Sequence, residues 1–201
     1  MDEKGRCGLC RRGARGFDSA YSFGFYEGPL RELIHLFKYG GVQTLATPLG
    51  RFLAQALPRD EQFDVIVPMP LHWRKRWRRG FNQSTLLARE ISRRIQVPVR
   101  RAVRRVRFTS AQAGLTNAKR RENVSGAFRA RGRGPLKGMR VLLVDDVMTT
   151  GATAASCARA LRMAGAGRVV LLTLARVDRR LSFDLQFIDT NSSGSLEHAQ
   201  S

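Results

Sequence analysis

The sequence lacks long apolar runs. No stretch approaches the roughly 20 apolar residues that a membrane-spanning helix needs, and the N-terminal segment MDEKGRCGLCRR lacks the apolar core of a signal peptide. Both absences predict a cytoplasmic protein with no membrane span. The chain has 201 residues, of which 43% are hydrophobic, and this composition is typical of a folded globular chain rather than a disordered one.

Cysteine is also scarce, and its odd number excludes a framework of paired disulfides. The three cysteines are Cys7, Cys10 and Cys157. Cys7 and Cys10 have the spacing of a zinc knuckle, but a tetrahedral site needs two more ligands and the chain has no second CxxC. The pair is therefore either a partial zinc site or two reduced surface thiols. Cys157 lies in an Ala-rich helical pattern and is expected to be buried.

Acidic residues are nearly absent from residues 72–140. This segment holds 21 basic residues but only Glu90 and Glu122 as acids, and it accounts for nearly all of the net charge of +20. Such a field attracts polyanions, either phosphate-rich small molecules or nucleic acid, and the alternative is a set of solvated helix faces. Aromatic and basic residues are interleaved at its start. This mixture suits stacking on unpaired bases and predicts a site for single-stranded DNA at Trp73, Arg74, Lys75, Arg76, Trp77 and Arg78.

Aliphatic runs separated by glycine and proline predict an α/β domain at residues 17–189, between a basic CxxC lead at 1–16 and a disordered tail at 190–201. Strands are predicted at 21–25, 64–67, 140–144 and 169–174, and helices at 28–39, 44–57, 84–95 and 152–164. The succession of strand, helix and strand near the C-terminus indicates a parallel sheet covered on both faces. Residues 109–138 show little periodicity, which predicts a long loop.

The segment VLLVDDVMTTGAT at residues 141–153 places two carboxylates directly after four aliphatic residues. In an open α/β sheet, ligands bind beyond the carboxyl ends of the strands, where we expect Asp145 and Asp146 to lie. The following turn leads into a helix whose unpaired N–H groups attract phosphate. The acids suit ribose hydroxyls or Mg²⁺. The segment therefore predicts a ribose 5-phosphate pocket formed by Asp145, Asp146, Met148, Thr149, Thr150, Gly151, Ala152 and Thr153.

Three other interpretations of this segment fit its residues less well. A Walker B strand is accompanied by GxxxxGK[ST], and the chain has no Gly-Lys pair. A dinucleotide site needs GxGxxG, and Gly132-Arg133-Gly134 lacks both the third glycine and a preceding strand. An acidic helix cap needs one acid rather than two.

These residues resemble the signature for 5-phosphoribosyl 1-pyrophosphate (PRPP) in type I phosphoribosyltransferases. The chain also resembles the ComF family of competence-associated, phosphoribosyltransferase-like proteins in LIHLFKYGG (33–41), VPMPLHWRKRWRRGFNQ (67–83), QAGLTNAKRRENVSGAF (112–128) and the strand-loop signature with its following helix, in the family's order. The resemblance implies a type I phosphoribosyltransferase fold, with a central, mainly parallel sheet flanked by helices, a small N-terminal hood and a remnant CxxC segment.

The resemblance further implies roles for individual residues. Asp145 and Asp146 would hold the ribose 2- and 3-hydroxyls, and residues 149–153 the 5-phosphate. The loop that holds pyrophosphate, and its basic partner, would be Met69, Pro70, Leu71 and Arg79. Two residues of a flap over the reacting centre would act as catalytic clamps, Arg120 and Arg121.

The hood, in which type I enzymes select the nucleophile, would include Lys38 and Tyr39. The resemblance implies Mg²⁺ bound together with PRPP. It also implies Zn²⁺ at an N-terminal ribbon, for which Cys7 and Cys10 would need ligands from elsewhere. Partners would be a component of the competence machinery and further copies of this chain.

Two functions share the predicted pocket. An enzyme would transfer ribose 5-phosphate from PRPP to an amine or base and release pyrophosphate. A non-catalytic sensor would bind PRPP and engage single-stranded DNA through residues 72–140. We expect a PRPP-binding protein with a role in DNA uptake, and the acids and the loop leave both functions open because each function needs them.

Overall fold

The computed structural model describes residues 16–72, 77, 80–107, 126–132 and 136–177. In chain order its elements are β1 (Ser19–Phe25), α1 (Gly28–Tyr39), a 3₁₀ turn (Gln43–Leu45), α2 (Ala46–Gln55), β2 (Val65–Pro68), α3 (Gln83–Ile95), β3 (Val103–Arg105), β4 (Phe128–Ala130), β5 (Arg140–Met148), α4 (Ala152–Met163) and β6 (Arg168–Arg176). Four strands form a parallel sheet in the order β1, β6, β5 and β2. This arrangement confirms the predicted α/β fold with a central parallel sheet.

The sheet is buried on both faces because its central strands are almost entirely aliphatic. In β5 and β6, the stretches 141–144 and 169–172 have no exposed surface. Alternate side chains of a strand face opposite sides. One face packs against α1, α2 and α3, and the other packs against α4 and the β3–β4 ribbon. Burial of each large aliphatic side chain contributes roughly 1.5–3 kcal/mol, so the core fixes the strand ends that carry the polar residues.

Asn82 joins the start of α3 to the end of β2. Its Oδ1 accepts a hydrogen bond from the Ser84 backbone N–H at 3.1 Å, which caps the helix. Its Nδ2 donates a hydrogen bond to the Met69 carbonyl at 3.0 Å. The first turn of α3 therefore lies beside the loop that follows β2, which is the loop predicted to hold pyrophosphate.

Two predictions about element boundaries are wrong. The sequence predicts a strand end at residue 144, but β5 continues to Met148, because β6 is extended to Arg176 and pairs with it there. The two aspartates therefore lie within the strand rather than beyond it. The sequence also predicts one loop at 109–138, but Phe128 is buried and begins β4, which pairs antiparallel with β3. A single buried aromatic residue gives no periodicity, and the strand was missed for that reason.

The predicted units at the two ends of the chain cannot be compared with the structure. The CxxC lead, apart from Gly16, and the tail at 190–201 lie outside the described residues. In the part of the chain that is described, no helix combines the length and the apolar surface that crossing a bilayer requires.

Candidate phosphosugar site

Asp145 and Asp146 contact two helices that cover the same face of the sheet. The Ser84 hydroxyl, in the first turn of α3, donates a hydrogen bond to Oδ1 of Asp145 at 3.1 Å. Nζ of Lys38, in the last turn of α1, lies 2.9 Å from Oδ1 of Asp146. Consecutive residues of a regular strand face opposite sides, so the contact of both carboxylates with this one set of helices is accompanied by a local change in the strand.

That change is an interruption in the alternation of faces along β5. Val144 and Val147 both pack against the cluster that contains α1, α2 and α3, although residues three apart in a regular strand face opposite sides. Pairing with β6 continues across the interruption, from Asp145 with Thr173 to Val147 with Ala175. Asp145 also interacts electrostatically with Arg105 and Cys157, which belong to the elements on the other face of the sheet. The acidic pair therefore lies at the carboxyl end of the sheet, between the elements that cover its two faces.

The electrostatic state of the acids follows from burial and from their neighbours. Burial, followed by the Asp146 carboxylate, raises the pKa of Asp145 to about 7, against the opposing effects of Lys38 and the Ser84 hydroxyl. Burial lowers the pKa of Lys38, but the Asp146 carboxylate outweighs it and the net pKa is raised. Lys38 is therefore an ammonium ion at neutral pH. It offsets part of the negative charge that two neighbouring carboxylates would otherwise present.

The bend after β5 leads directly into α4. Gly151 is the residue before the helix and has a φ of 72°, a left-handed conformation that glycine adopts without steric cost. The Thr150 hydroxyl accepts a hydrogen bond from the Ala152 N–H at 3.3 Å. The first turn of α4 contains no acid, and Gly151 offers no side-chain cap. The positive end of the helix dipole is therefore open to an anion, three residues after the strand that bears the acids.

A cavity of about 430 Å³ opens beside the end of β2. Pro70 and Leu71, from the predicted pyrophosphate loop, line one side together with Asn82. None of its described lining residues is acidic, and five are basic: Arg89, Arg101, Arg104, Arg105 and Arg131. Guanidinium groups bind phosphate oxygens through paired hydrogen bonds, so the cavity suits a phosphorylated ligand.

Arg105 connects this cavity with the acids. Burial lowers the pKa of its guanidinium group, and the Asp145 carboxylate acts in the opposite direction. The guanidinium carbon lies 5.4 Å from the centre of the Phe128 ring, which supports its planar face. Arg105 therefore lines the cavity and also interacts electrostatically with Asp145.

The acidic pair does not fit a Mg²⁺ ion held by the protein alone. Protein-bound Mg²⁺ relies on carboxylate oxygens, and Asp146 already faces an ammonium group at 2.9 Å. Across the described ranges, no cluster of three or more His, Cys, Asp or Glu side chains is placed to hold a metal ion. The pair instead fits hydroxyl groups, which donate hydrogen bonds to carboxylates without bringing charge.

Comparisons with known proteins agree with this geometry. A family model described as the phosphoribosyl transferase domain matches residues 82–191, which include α3, the acidic pair and α4. Competence protein F of Haemophilus influenzae is 35% identical over 178 residues, which cover 85% of this chain and 78% of that protein. The chain belongs to the ComF family.

Other relatives support this assignment. DNA utilization protein YhgH of Escherichia coli is 36% identical to this ComF-family chain over 177 residues, which cover 85% of the chain and 77% of that protein. Among solved structures, the glutamine phosphoribosylpyrophosphate (PRPP) amidotransferase from B. subtilis, complexed with ADP and GMP, is 25% identical with a TM-score of 0.45, and the match covers 65% of this chain and 26% of that chain. The family assignment rests on the sequence matches.

The structure of the ComF-family chain brings part of the predicted site together. Asp145 and Asp146 directly precede the bend at 148–153, and the loop at 69–71 borders the arginine cavity. Trp77 is 88% exposed. Cys157 has no exposed surface, as predicted. The other predicted site residues lie outside the described residues: Arg79, Arg120, Arg121, Trp73, Arg74, Lys75, Arg76, Arg78, Cys7 and Cys10.

Several site residues were not predicted in the positions that they occupy. The resemblance places Lys38 in the hood, and the structure shows that it contacts Asp146. The sequence pattern predicts Ser84 only as the first residue of a helix, and the structure shows that it contacts Asp145. The sequence predicts a diffuse basic segment, but the arginines at 101–105 and 131 are brought together by the pairing of β3 with β4. The motif LIHLFKYGG gave one usable signal, because it places a lysine in the last turn of an amphipathic helix.

Proposed function

We propose that this ComF-family protein binds PRPP at the carboxyl end of β5 and transfers its ribose 5-phosphate group to an acceptor, with release of pyrophosphate. The observation that supports the proposal is the position of two consecutive carboxylates at the carboxyl end of the sheet, shortly before the bend at Gly151. Asp145 and Asp146 accept hydrogen bonds from the ribose hydroxyls. The N–H groups of the bend and the hydroxyls of Thr149, Thr150 and Thr153 donate to the 5-phosphate.

The arginine cavity is proposed to receive the pyrophosphate group. Its Arg105 interacts electrostatically with Asp145, and Pro70 and Leu71 of the β2 loop line it. A ligand that places its ribose ring on the acids and its 5-phosphate at the bend can extend its diphosphate toward these arginines. The cavity then binds the group that carries the most negative charge, which is the leaving group of the reaction.

The proposed reaction breaks the bond between ribose C1 and the diphosphate oxygen and forms a bond from C1 to the acceptor nitrogen, which then loses a proton. Positive charge develops on the ring and negative charge on the diphosphate. The carboxylates of Asp145 and Asp146 stabilise the first, and the cavity arginines stabilise the second. Mg²⁺ is part of the substrate here, since it arrives paired with the diphosphate of PRPP.

No side chain needs to act as a covalent nucleophile in this reaction. Among the described residues, Cys157 is a cysteine whose thiol interacts electrostatically with Asp145. Burial, followed by the Asp145 carboxylate, raises the pKa of its thiol. The thiol therefore stays neutral and unreactive at neutral pH, which agrees with direct displacement by the acceptor.

We further propose that this chemistry serves DNA uptake in the cytoplasm. The relatives named Competence protein F and DNA utilization protein YhgH support such a role. The acceptor would be an amine or a base. A component of the competence machinery and further copies of this chain are the partners that we expect.

The second candidate function is a PRPP sensor that binds single-stranded DNA without catalysing transfer. Two observations favour it. Trp77 is 88% exposed, so its ring is accessible to an unpaired base. The arginine cavity has no acidic residue among its described lining residues, and its positive field also suits a nucleic-acid backbone.

Calorimetric titration with PRPP and Mg²⁺ tests the first proposal. We expect D145N/D146N to weaken binding by at least about 100-fold, because each substitution removes a charge-assisted hydrogen bond to the sugar. The matched control is D64N, which neutralises a carboxylate at the opposite end of the same sheet and should leave the affinity unchanged. Equal affinity of the parent and the double variant would refute the ribose role of the acids.

Two further measurements separate the enzyme from the sensor. Pyrophosphate release in the presence of candidate amines or bases would establish turnover, and its absence from a chain that binds PRPP would favour the sensor. Binding of single-stranded DNA should weaken steeply with salt, and W77A should lower the affinity by about 10-fold through lost stacking. An unchanged affinity in W77A would remove the stacking role of this residue.

A further inference from the structure

Lys38 is held in the site by contacts of its ammonium group and of its backbone carbonyl. Its ammonium group lies 2.9 Å from Oδ1 of Asp146, and both side chains are only 13% exposed. The same nitrogen lies 6.0 Å from the centre of the Tyr26 ring, within range of a cation–π interaction. Its backbone carbonyl accepts a hydrogen bond from Nε2 of Gln83 at 3.4 Å. An exposed lysine that met an acid by chance would have none of this support.

The position of the ammonium group decides which ligands the acidic pair can accept. Two adjacent carboxylates without a cation would attract a free divalent metal ion strongly. Here one positive charge already lies against Asp146, so an incoming dication is repelled by Lys38 and meets a less negative pair. A hydroxyl group carries no net charge. It is not repelled, and it can donate to a carboxylate oxygen that Lys38 does not occupy.

We propose that Lys38 is a specificity-determining residue, acting through Asp146, that makes the acidic pair reject a free divalent cation and accept the hydroxyl groups of a sugar. A metal ion that is already paired with a diphosphate brings no net positive charge, and Lys38 does not oppose its entry. The acceptance of sugar hydroxyls rests on the proposed function. The rejection of a free cation does not, because it depends only on the charges of Lys38, Asp145 and Asp146.

Titration with Mn²⁺ alone, followed by electron paramagnetic resonance, tests the inference without PRPP. The parent should bind Mn²⁺ no more tightly than D145N/D146N. K38Q keeps a polar side chain of similar reach but removes the charge, and it should bind Mn²⁺ at least about 10-fold more tightly than the parent. K38Q/D146N should lose this gain. K38R restores a positive charge and should behave as the parent, which separates the effect of charge from an effect of side-chain packing.

Two results would overturn the inference. One is a folded K38Q, verified by circular dichroism, that binds Mn²⁺ no better than the parent. The other is a parent whose Mn²⁺ affinity drops in D145N/D146N, and this second measurement does not depend on the folding of any Lys38 variant. If the Mn²⁺ results are as expected but the parent does not bind PRPP with Mg²⁺, the proposed function fails and the rejection of a free cation stands.

Discussion

The two ends of the sheet around β5 carry ion pairs of the same length in different surroundings. At the amino end, Nη2 of Arg140 lies 2.9 Å from Oδ1 of Asp64, with the side chains 43% and 39% exposed. At the carboxyl end, Nζ of Lys38 lies 2.9 Å from Oδ1 of Asp146, with each side chain 13% exposed. Water screens the first pair and has little access to the second. An equal distance therefore represents a weaker interaction at the amino end.

The two ends also differ in whether acidic residues lie beside their arginines. At the amino end, Arg168 pairs with Glu61 and Arg162 pairs with Asp18, in addition to the pair at Arg140. At the carboxyl end, the arginines of the cavity have no acid among the described lining residues. Three arginines at the amino end thus pair with acids of the chain, whereas the described lining of the cavity at the carboxyl end contains five arginines and no acid.

The largest expected effect is a loss of stability when the cation of the buried Lys38–Asp146 pair is removed. K38M leaves two carboxylates in a poorly hydrated position without their cation, and breaking a buried ion pair costs about 3 kcal/mol. We therefore expect urea denaturation at pH 8 to show a free energy of unfolding lower by about this amount. R140M, the matched variant at the exposed pair, should show a clearly smaller loss. Equal losses at the two positions would remove the distinction between the two ends.

The fold was largely predictable because its signals are local. Continuous aliphatic runs such as 141–144 and 169–174 can be stable only in a sheet that is covered on both faces, and the structure confirms both strands. The two incorrect predictions concern features that depend on pairing with another strand. The last residues of β5 depend on pairing with the end of β6, and β4 depends on pairing with β3. Neither pairing leaves a periodic pattern in its own segment.

A pH-dependent effect is expected from Asp145. Burial, followed by the neighbouring Asp146 carboxylate, raises its pKa in the folded state to about 7 from the ordinary value of 3.8, which holds in the unfolded chain. Between these values the folded state holds a proton that the unfolded state has lost, so the parent loses stability as pH rises. D145N carries no charge at any pH. Its melting temperature should match that of the parent near pH 4 and rise relative to it up to pH 7.

Thermal melts at intervals from pH 4 to pH 8 measure this difference, and D64N serves as the control because Asp64 has a lowered pKa. A constant difference between D145N and the parent across the range would contradict the raised pKa of Asp145. Such a result would also argue against strong repulsion between Asp145 and Asp146, because this repulsion is one cause of the raised pKa.

Some residues of the site were predictable because they are neighbours in the sequence. Asp145 and Asp146 are consecutive and adjoin a glycine-containing turn, so a short motif reveals them. Lys38 lies on a helix far away in the chain, and it reaches Asp146 only because α1 and α3 pack on one face of the sheet. A contact created by packing between distant elements cannot be deduced from the local pattern of either one.

The smallest expected effect is at the exposed pair, and its dependence on pH has the opposite sign. Hydrogen bonds from the side chain and backbone of Arg140 lower the pKa of Asp64 from 3.8 to about 2. A depressed pKa stabilises the folded state above the unfolded value, and the contribution is lost as pH falls through the folded value. D64N should therefore melt a few degrees below the parent at pH 7, and the gap should shrink between pH 4 and pH 2. Because D145N gains on the parent as pH rises while D64N falls behind it, the two variants should diverge with pH. Parallel curves for D64N and D145N would show that the two ends of the sheet do not differ in the way that their burial implies.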